Sequence, residues 1–213
     1  MKRISILFFI FFLLLPAGTI AQDLKPIELP KPDTTGGKPL MEVLKNRKTS
    51  RSFSVDKLPK QVLANLLWAG FGINRPDGHR TAPSAMNWQE IDIYVVMEEA
   101  TYLYDAKNNA LVPVVMHDLR EKTGTQPFVK DAPLNLVYVA DRAKMKKASG
   151  EDQNIFMGAD AGCIVQNVYL YCASAGLATV VRGSVEKPAL VKALNLRSEQ
   201  SVILAQTVGY PGK

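Results

Sequence analysis

Seven consecutive residues, Arg47-Lys48-Thr49-Ser50-Arg51-Ser52-Phe53, carry three permanent cations and three hydroxyls. A phosphate monoester is dianionic near neutral pH, so a site for one needs several charge-assisted donors converging on a small volume. Arg and Lys supply the charge, and Thr or Ser supplies short hydroxyl donors. A basic run taken alone is more often solvated surface, because Lys and Arg are mostly exposed. What the cluster does therefore depends on the elements that position it.

Residues 22–39 hold Pro26, Pro30, Pro32 and Pro39 with Gly36 and Gly37. That composition favours an extended arm over a packed element and reads as a tether. The apolar positions Leu40, Met41, Val43 and Leu44 predict a short helix that delivers the basic cluster at its end. A second helix opens near residues 57–59, with proline early in its first turn and an apolar stripe of Val62, Leu63, Leu66, Leu67 and Phe71. Residues 72–90 read as a long loop rich in turn chemistry, and loops of that size in a compact domain are usually functional. Alternation over residues 91–96 predicts a strand, and residues 102–104 with 111–115 a hairpin. A buried strand follows at residues 134–140. The longest helix is predicted over residues 155–175, apolar on more than one face and closed by Gly176. Two more strands, at residues 177–181 and 202–208, flank a helix at 187–194. This order predicts an α+β sandwich, with helices on a mostly antiparallel sheet. No dinucleotide glycine fingerprint or P-loop is present, so a phosphate site here must be built from side chains.

The chain has 213 residues, long enough for one ordinary domain with a real core. Lys2 and Arg3, an unbroken apolar run from Ile4 to Leu15, and small residues before Gln22 together read as a secretory signal peptide over residues 1–21. The apolar run is shorter than the roughly 20 residues that span a bilayer, so no stable membrane anchor is expected. The protein is expected to be exported, to a periplasm. Two of the 26 Lys and Arg residues lie in that segment and no acid does, which leaves 24 basic against 20 acidic side chains. So mild an excess, without a basic stripe interleaved with aromatics, suits a small anionic ligand and not nucleic acid. Cys163 and Cys172 lie nine residues apart in one predicted helix, on opposite faces, so they cannot bridge each other. Both read as buried filler. His79 and His117 stand without ligand-like spacing, and no metal is assigned.

Three segments, in order, resemble one family. The basic cluster is similar to the Arg-Arg-Ser-x-Arg-x-Phe opening of the FMN-dependent nitroreductases. Pro83-Ser84-Ala85-Met86-Asn87-Trp88-Gln89 is similar to their Pro-Ser-x-x-Asn-x-Gln loop. Gly176-Leu177-Ala178-Thr179-Val180-Val181-Arg182-Gly183-Ser184 resembles their glycine-rich flavin loop. The likeness spans roughly residues 40–210, and residues 91–96 resemble the branch that includes thiazoline and oxazoline dehydrogenases.

The resemblance implies a homodimer with FMN at the subunit interface. By position, Arg47, Lys48 and Thr49 would hold the phosphate, and Arg51 would reach the ribityl chain or the pyrimidine edge. Gly183 and Ser184 would approach the ring, while Pro83, Ser84, Ala85 and Asn87 would come from the partner. No side chain is assigned as catalytic, since hydride chemistry at a flavin needs no nucleophile. The implied function is two-electron transfer from NAD(P)H or another donor to a small organic acceptor such as a nitro compound or quinone. The alternatives are a flavin-binding carrier without turnover and a heterocycle dehydrogenase. The chain departs from the family pattern at Ser184, at Val185, and at Met86, where glycine is common. It ends at Lys213, which would have to replace a further phosphate ligand found in longer relatives.

Overall fold

The computed structural model describes residues 25–213. The expected signal peptide and the first residues of the tether lie outside them. Seven strands, β1 (Ile27–Glu28), β2 (Ile91–Val96), β3 (Thr101–Asp105), β4 (Ala110–Val115), β5 (Leu134–Asp141), β6 (Ala178–Arg182) and β7 (Gln200–Gly209), form one sheet. Their order is β1-β4-β3-β2-β5-β7-β6, and every pairing is antiparallel.

Side chains alternate between the two faces of a strand. Ile91, Ile93 and Val95 of β2 therefore join Leu134, Leu136, Tyr138 and Ala140 of β5 in one apolar cluster. Tyr94, Val96, Val137 and Val139 join a second cluster on the other face. Every residue of β5 is buried, which explains why its sequence is mostly apolar without polar alternation, Asn135 and Asp141 excepted. Helices α2 (Lys60–Phe71) and α4 (Gly150–Ala175) cover the first face through Leu66, Leu67, Ile164 and Val168. Leu119 and Leu190 of α5 (Lys187–Ala193) cover the second. The result is the expected α+β sandwich. Two short helices remain: α1 (Leu40–Asn46) and α3 (Phe128–Asp131).

The long central helix begins at Gly150, five residues before the apolar pattern does. Its first turn holds Glu151 and Asp152, which show no periodicity but complement the positive end of the helix dipole. Ser149 caps it: the Oγ accepts from the Asp152 N–H at 3.2 Å and donates to the Asp152 carboxylate at 2.6 Å. Ser149→Ala should lower stability by about 1 kcal/mol, measured as a shift in the urea midpoint. Gly176 ends the helix in the left-handed region at φ 72°. Cys172 within it is fully buried, and burial pushes its thiol well above the ordinary range. Cys163 is only half-buried, so the reading of both thiols as interior filler holds for one of them.

From Lys25 onward the arm read as a tether is extended but laid against the domain. Ile27 and Glu28 add an edge strand to β4, and the Leu29 side chain is buried. Asn109 Nδ2 donates to the Leu29 and Pro30 carbonyls. Further along, Asp33 N donates to Asn65 of α2 and Lys38 N to Ser174 of α4. Proline tolerates this course because an edge strand leaves one row of N–H positions unpaired.

Candidate functional site

The basic cluster is an extended hook between α1 and the rest of the domain. Arg47 closes α1, donating its N–H to the Val43 carbonyl at 2.8 Å. Ser50 N donates to the Thr179 carbonyl of β6 at 2.9 Å, which lashes the hook to the sheet edge. On its other side the hook pairs with the chain end: Ser54 N donates to Tyr210 O at 2.9 Å and Gly212 N to Ser52 O at 3.0 Å. Gly212, the residue before Lys213, is thereby held beside Ser52.

Tyr169 of α4 is the post on which the hook hangs. Its hydroxyl lies 3.1 Å from Thr49 Oγ1 and accepts from the Val181 N–H at 3.0 Å. The Arg47 guanidinium sits 5.3 Å from the centre of its ring. Tyr169 belongs to the buried core, and its phenol also couples the hook to β6. Tyr169→Phe should cost about 1 kcal/mol through the lost acceptor for Val181 N–H, read by urea denaturation.

Arg47 is half-buried, whereas Lys48, Thr49 and Arg51 are exposed. Among the described residues, no carboxylate lies within ion-pair distance of Arg47, Lys48 or Arg51. Three cations held by backbone anchors and left without counterions have the donor chemistry that a dianion requires.

Gly183 and Ser184 follow directly on β6 and are both exposed. A Cβ at Gly183 would meet nothing within 4 Å, so packing within the chain does not call for glycine there. Close approach by another molecule would.

Pro83, Ser84, Ala85 and Asn87 form a second cluster. Ala85–Asn87 is a single 3-10 turn, and Met86, Asn87 and Gln89 all have positive φ, 49°, 55° and 49°. Three left-handed non-glycine residues within four positions is the kind of backbone strain that persists where surrounding bonds over-determine it. Those bonds are present. Gln89 N donates to Ser84 Oγ, Gln89 Nε2 to Gly78 O and Asn87 Oδ1, and Arg80 Nε to Gln89 Oε1. Trp88 stacks edge-on against Phe156 of α4 with centroids 5.9 Å apart. The left-handed φ at Met86 gives a physical reason for glycine to be common there.

The loop docks on α4 through Asp160, whose Oδ2 accepts from the Ala85 N–H at 2.8 Å. Asp160 and Tyr169 are nine residues apart, hence about 13 Å along the axis and half a turn around it. Within one chain the loop and the hook are thus held on opposite sides of the central helix. The structure brings Arg47, Lys48, Thr49 and Arg51 to β6, the strand that leads into Gly183 and Ser184, and it does not bring Pro83, Ser84, Ala85 or Asn87 to them.

Among the buried charges that escaped the sequence reading are Glu90 and Arg182. Glu90 is fully buried, neither carboxylate oxygen has a hydrogen-bond partner, and burial beside Asp160 raises it to about 7. Arg182 is buried at the end of β6 and bonded only to neutral acceptors, the Thr123 carbonyl, Asn135 Oδ1 and Thr207 Oγ1. Burial lowers it to about 10, which leaves it charged at neutral pH. Charge type is visible in a sequence; depth is not. A depression of about 680 Å³, lined in part by Gly124, Gln126, Pro127 and Glu186, borders the segment after Ser184.

Helices laid on both faces of an antiparallel sheet, with an unpaired cationic hook at the edge strand and an open glycine at its end, define an α+β domain suited to hold an anionic ligand. The chain belongs to the nitroreductase family, which it matches over residues 44–210. A solved structure described as a nitroreductase of Ralstonia eutropha JMP134 is similar to it with a TM-score of 0.86 at 41% identity, covering 94% of this chain and 96% of that one. A relative from Methanocaldococcus jannaschii, also named as a nitroreductase, is 29% identical over 155 residues, 68% of this chain and 78% of the relative. A nitroreductase-fold protein of Desulfovibrio desulfuricans, solved in complex with FMN, superimposes with a TM-score of 0.61 at 21% identity over 83% of this chain and 88% of that one.

Proposed function

We propose that this protein is an FMN-dependent oxidoreductase that transfers two electrons from a donor to a small organic acceptor such as a nitro compound or a quinone, working as a homodimer. The observation that carries the reading is the hook: three cations without counterions among the described residues, with Thr49 beside them, anchored to the strand that ends at an open glycine. These groups fit an anionic ligand with a flat ring. Arg47, Lys48 and Thr49 would take the phosphate, with Arg51 toward the ribityl chain or pyrimidine edge, and Gly183 and Ser184 would lie against the ring. FMN supplies the hydride-accepting and hydride-donating chemistry.

The chain's own part is binding, orientation and electrostatics. Cations fixed beforehand stabilise negative charge without reorganising when it develops. The separation of loop from hook across α4 favours a site completed by a second copy, with Pro83, Ser84, Ala85 and Asn87 contributed in trans. Exposed apolar side chains support that association: Leu40 is 62%, Met41 76%, Met86 73% and Ile155 62% exposed. Light scattering of the purified protein should give twice the chain mass.

The signal-peptide reading makes this an exported enzyme. Soluble nicotinamide cofactors are not expected outside the cytoplasm, so a quinol or a protein then replaces NAD(P)H as donor. Amino-terminal sequencing of the native protein tests the export step. The central test is the absorbance spectrum of protein purified without added cofactor, with the mass of whatever is released on denaturation. A yellow preparation releasing FMN supports the function; colourless protein that takes up no FMN on reconstitution overturns it.

A further inference from the structure

We propose that Glu90 and Asp160 share a single proton beneath the loop of residues 83–89, and that this proton holds the loop in place. Glu90 is the positioning residue and acts through Asp160. The two carboxyls meet where the loop turns into β2. Glu90 has no exposed surface, neither of its oxygens meets a partner of normal hydrogen-bond geometry among the described residues, and the donor that favours its charged form is its own backbone N–H. Asp160, buried on α4, is the side chain against which it packs, and the Asp160 Oδ2 already accepts from Ala85 N–H. Two ionised carboxylates in contact without a donor between them repel, and a proton on one of them replaces repulsion by a charge-assisted hydrogen bond.

The surrounding charges relieve the pair only in part, Lys144 drawing Glu90 downward less than burial and Asp160 push it up. Lys144 is the cation on that side, but its Nζ is engaged by the Gln89 carbonyl at 3.2 Å and Asp92 Oδ1 at 3.0 Å. Arg80 is held by Gln89 Oε1 and the Phe71 carbonyl. From β5, Asp141 gives Glu90 only its backbone N–H, to the Glu90 carbonyl at 3.0 Å; its carboxylate pairs with Arg197 and Ala143 N. The proton therefore stays with the carboxyls. Burial, with Asp160 adding to it, places its loss at about pH 7. The sign follows: the neutral acid persists below that value and its O–H donates to Asp160. Above it the proton passes to water, two negative charges face each other, and the Ala85 anchor is pushed with Asp160. The left-handed run at Met86, Asn87 and Gln89 is the backbone that gives way.

Trp88 reports on this movement, since it stacks on Phe156 beside the pair and Trp68 is the only other tryptophan. In the full chain carrying Trp68→Phe, Trp88 emission should change in one step as pH rises from about 5 to about 9, around the midpoint given by the raised carboxyl. Adding Glu90→Gln supplies a neutral side chain that donates to Asp160 at every pH and should abolish the step. Asp160→Asn, which lets Glu90 ionise against an amide donor, should move it to lower pH. Infrared spectra at pH 6 should show a protonated carboxylic acid in the parent chain that Glu90→Gln removes. A step that persists unchanged in Glu90→Gln, or a Trp88 signal flat in the parent chain, overturns the proposal.

The consequence for FMN rests on the function proposed above. FMN affinity should weaken severalfold across the same step and stay level in Glu90→Gln. A Trp88 step in protein that binds no FMN would leave the shared proton standing and remove the cofactor reading alone.

Discussion

Arg47→Ala should weaken FMN binding by about 1.5 to 3 kcal/mol, one to two orders of magnitude in Kd. Arg47 is the half-buried member of the hook, steadied by the Tyr169 ring and by the helix end it closes, and no carboxylate among the described residues draws it away. A cation pre-placed in this way loses little side-chain entropy when it meets an anion, so its removal costs more than that of a mobile surface lysine. Titration by quenching of flavin fluorescence reads the affinity, and circular dichroism checks the fold. Arg47→Lys retains charge but not the planar fork, and should fall between the two. An unchanged Kd in Arg47→Ala would mean that the phosphate rests elsewhere, even if FMN binds.

The parts of this site visible in the sequence are those set by residue type and local order. The hook is a composition signal, the loop of residues 83–89 a turn signal, and Gly176 and Gly183 are glycine signals; the strands showed their period or their apolar runs. What was not visible depends on distant partners. β1 is two residues long and exists only because β4 offers an edge. Tyr169 matters because Thr49 and Val181 reach it from two other segments. Glu90 resembles any acidic residue before a strand until the fold buries it beside Asp160. The same reasoning explains α4, whose capped polar first turn carries no apolar repeat.

The other large effect belongs to Arg182. Its guanidinium bonds three segments at once: the Thr123 carbonyl, Asn135 of β5 at 2.9 Å and Thr207 of β7 at 2.8 Å. Asn135 in turn donates to the Val129 carbonyl at 2.7 Å. Residues 120–131, which carry the wall of the depression beside Ser184, are thus fastened to the sheet by two buried polar side chains. Hydrogen bonds to a charged donor contribute about 1.5 to 3 kcal/mol each, against which stands the relief of no longer burying an uncompensated cation. Arg182→Met should therefore lower stability by a net of about 3 kcal/mol, read from the urea midpoint. The loss is local in origin, because Thr207 Oγ1 still donates to Asn135 whereas Thr123 O is left without a donor. Hydrogen exchange should accordingly rise first in residues 120–131. Gly124→Ala attacks the same fastening from outside, since a Cβ there would collide with Arg182 Nη1. Overpacking of that kind costs about 1 to 3 kcal/mol, and because both changes disrupt one contact, the double variant should lose less than the two single losses added together. Full additivity would show that Arg182 and Gly124 act separately, and the fastening would then have to be sought in Asn135 alone.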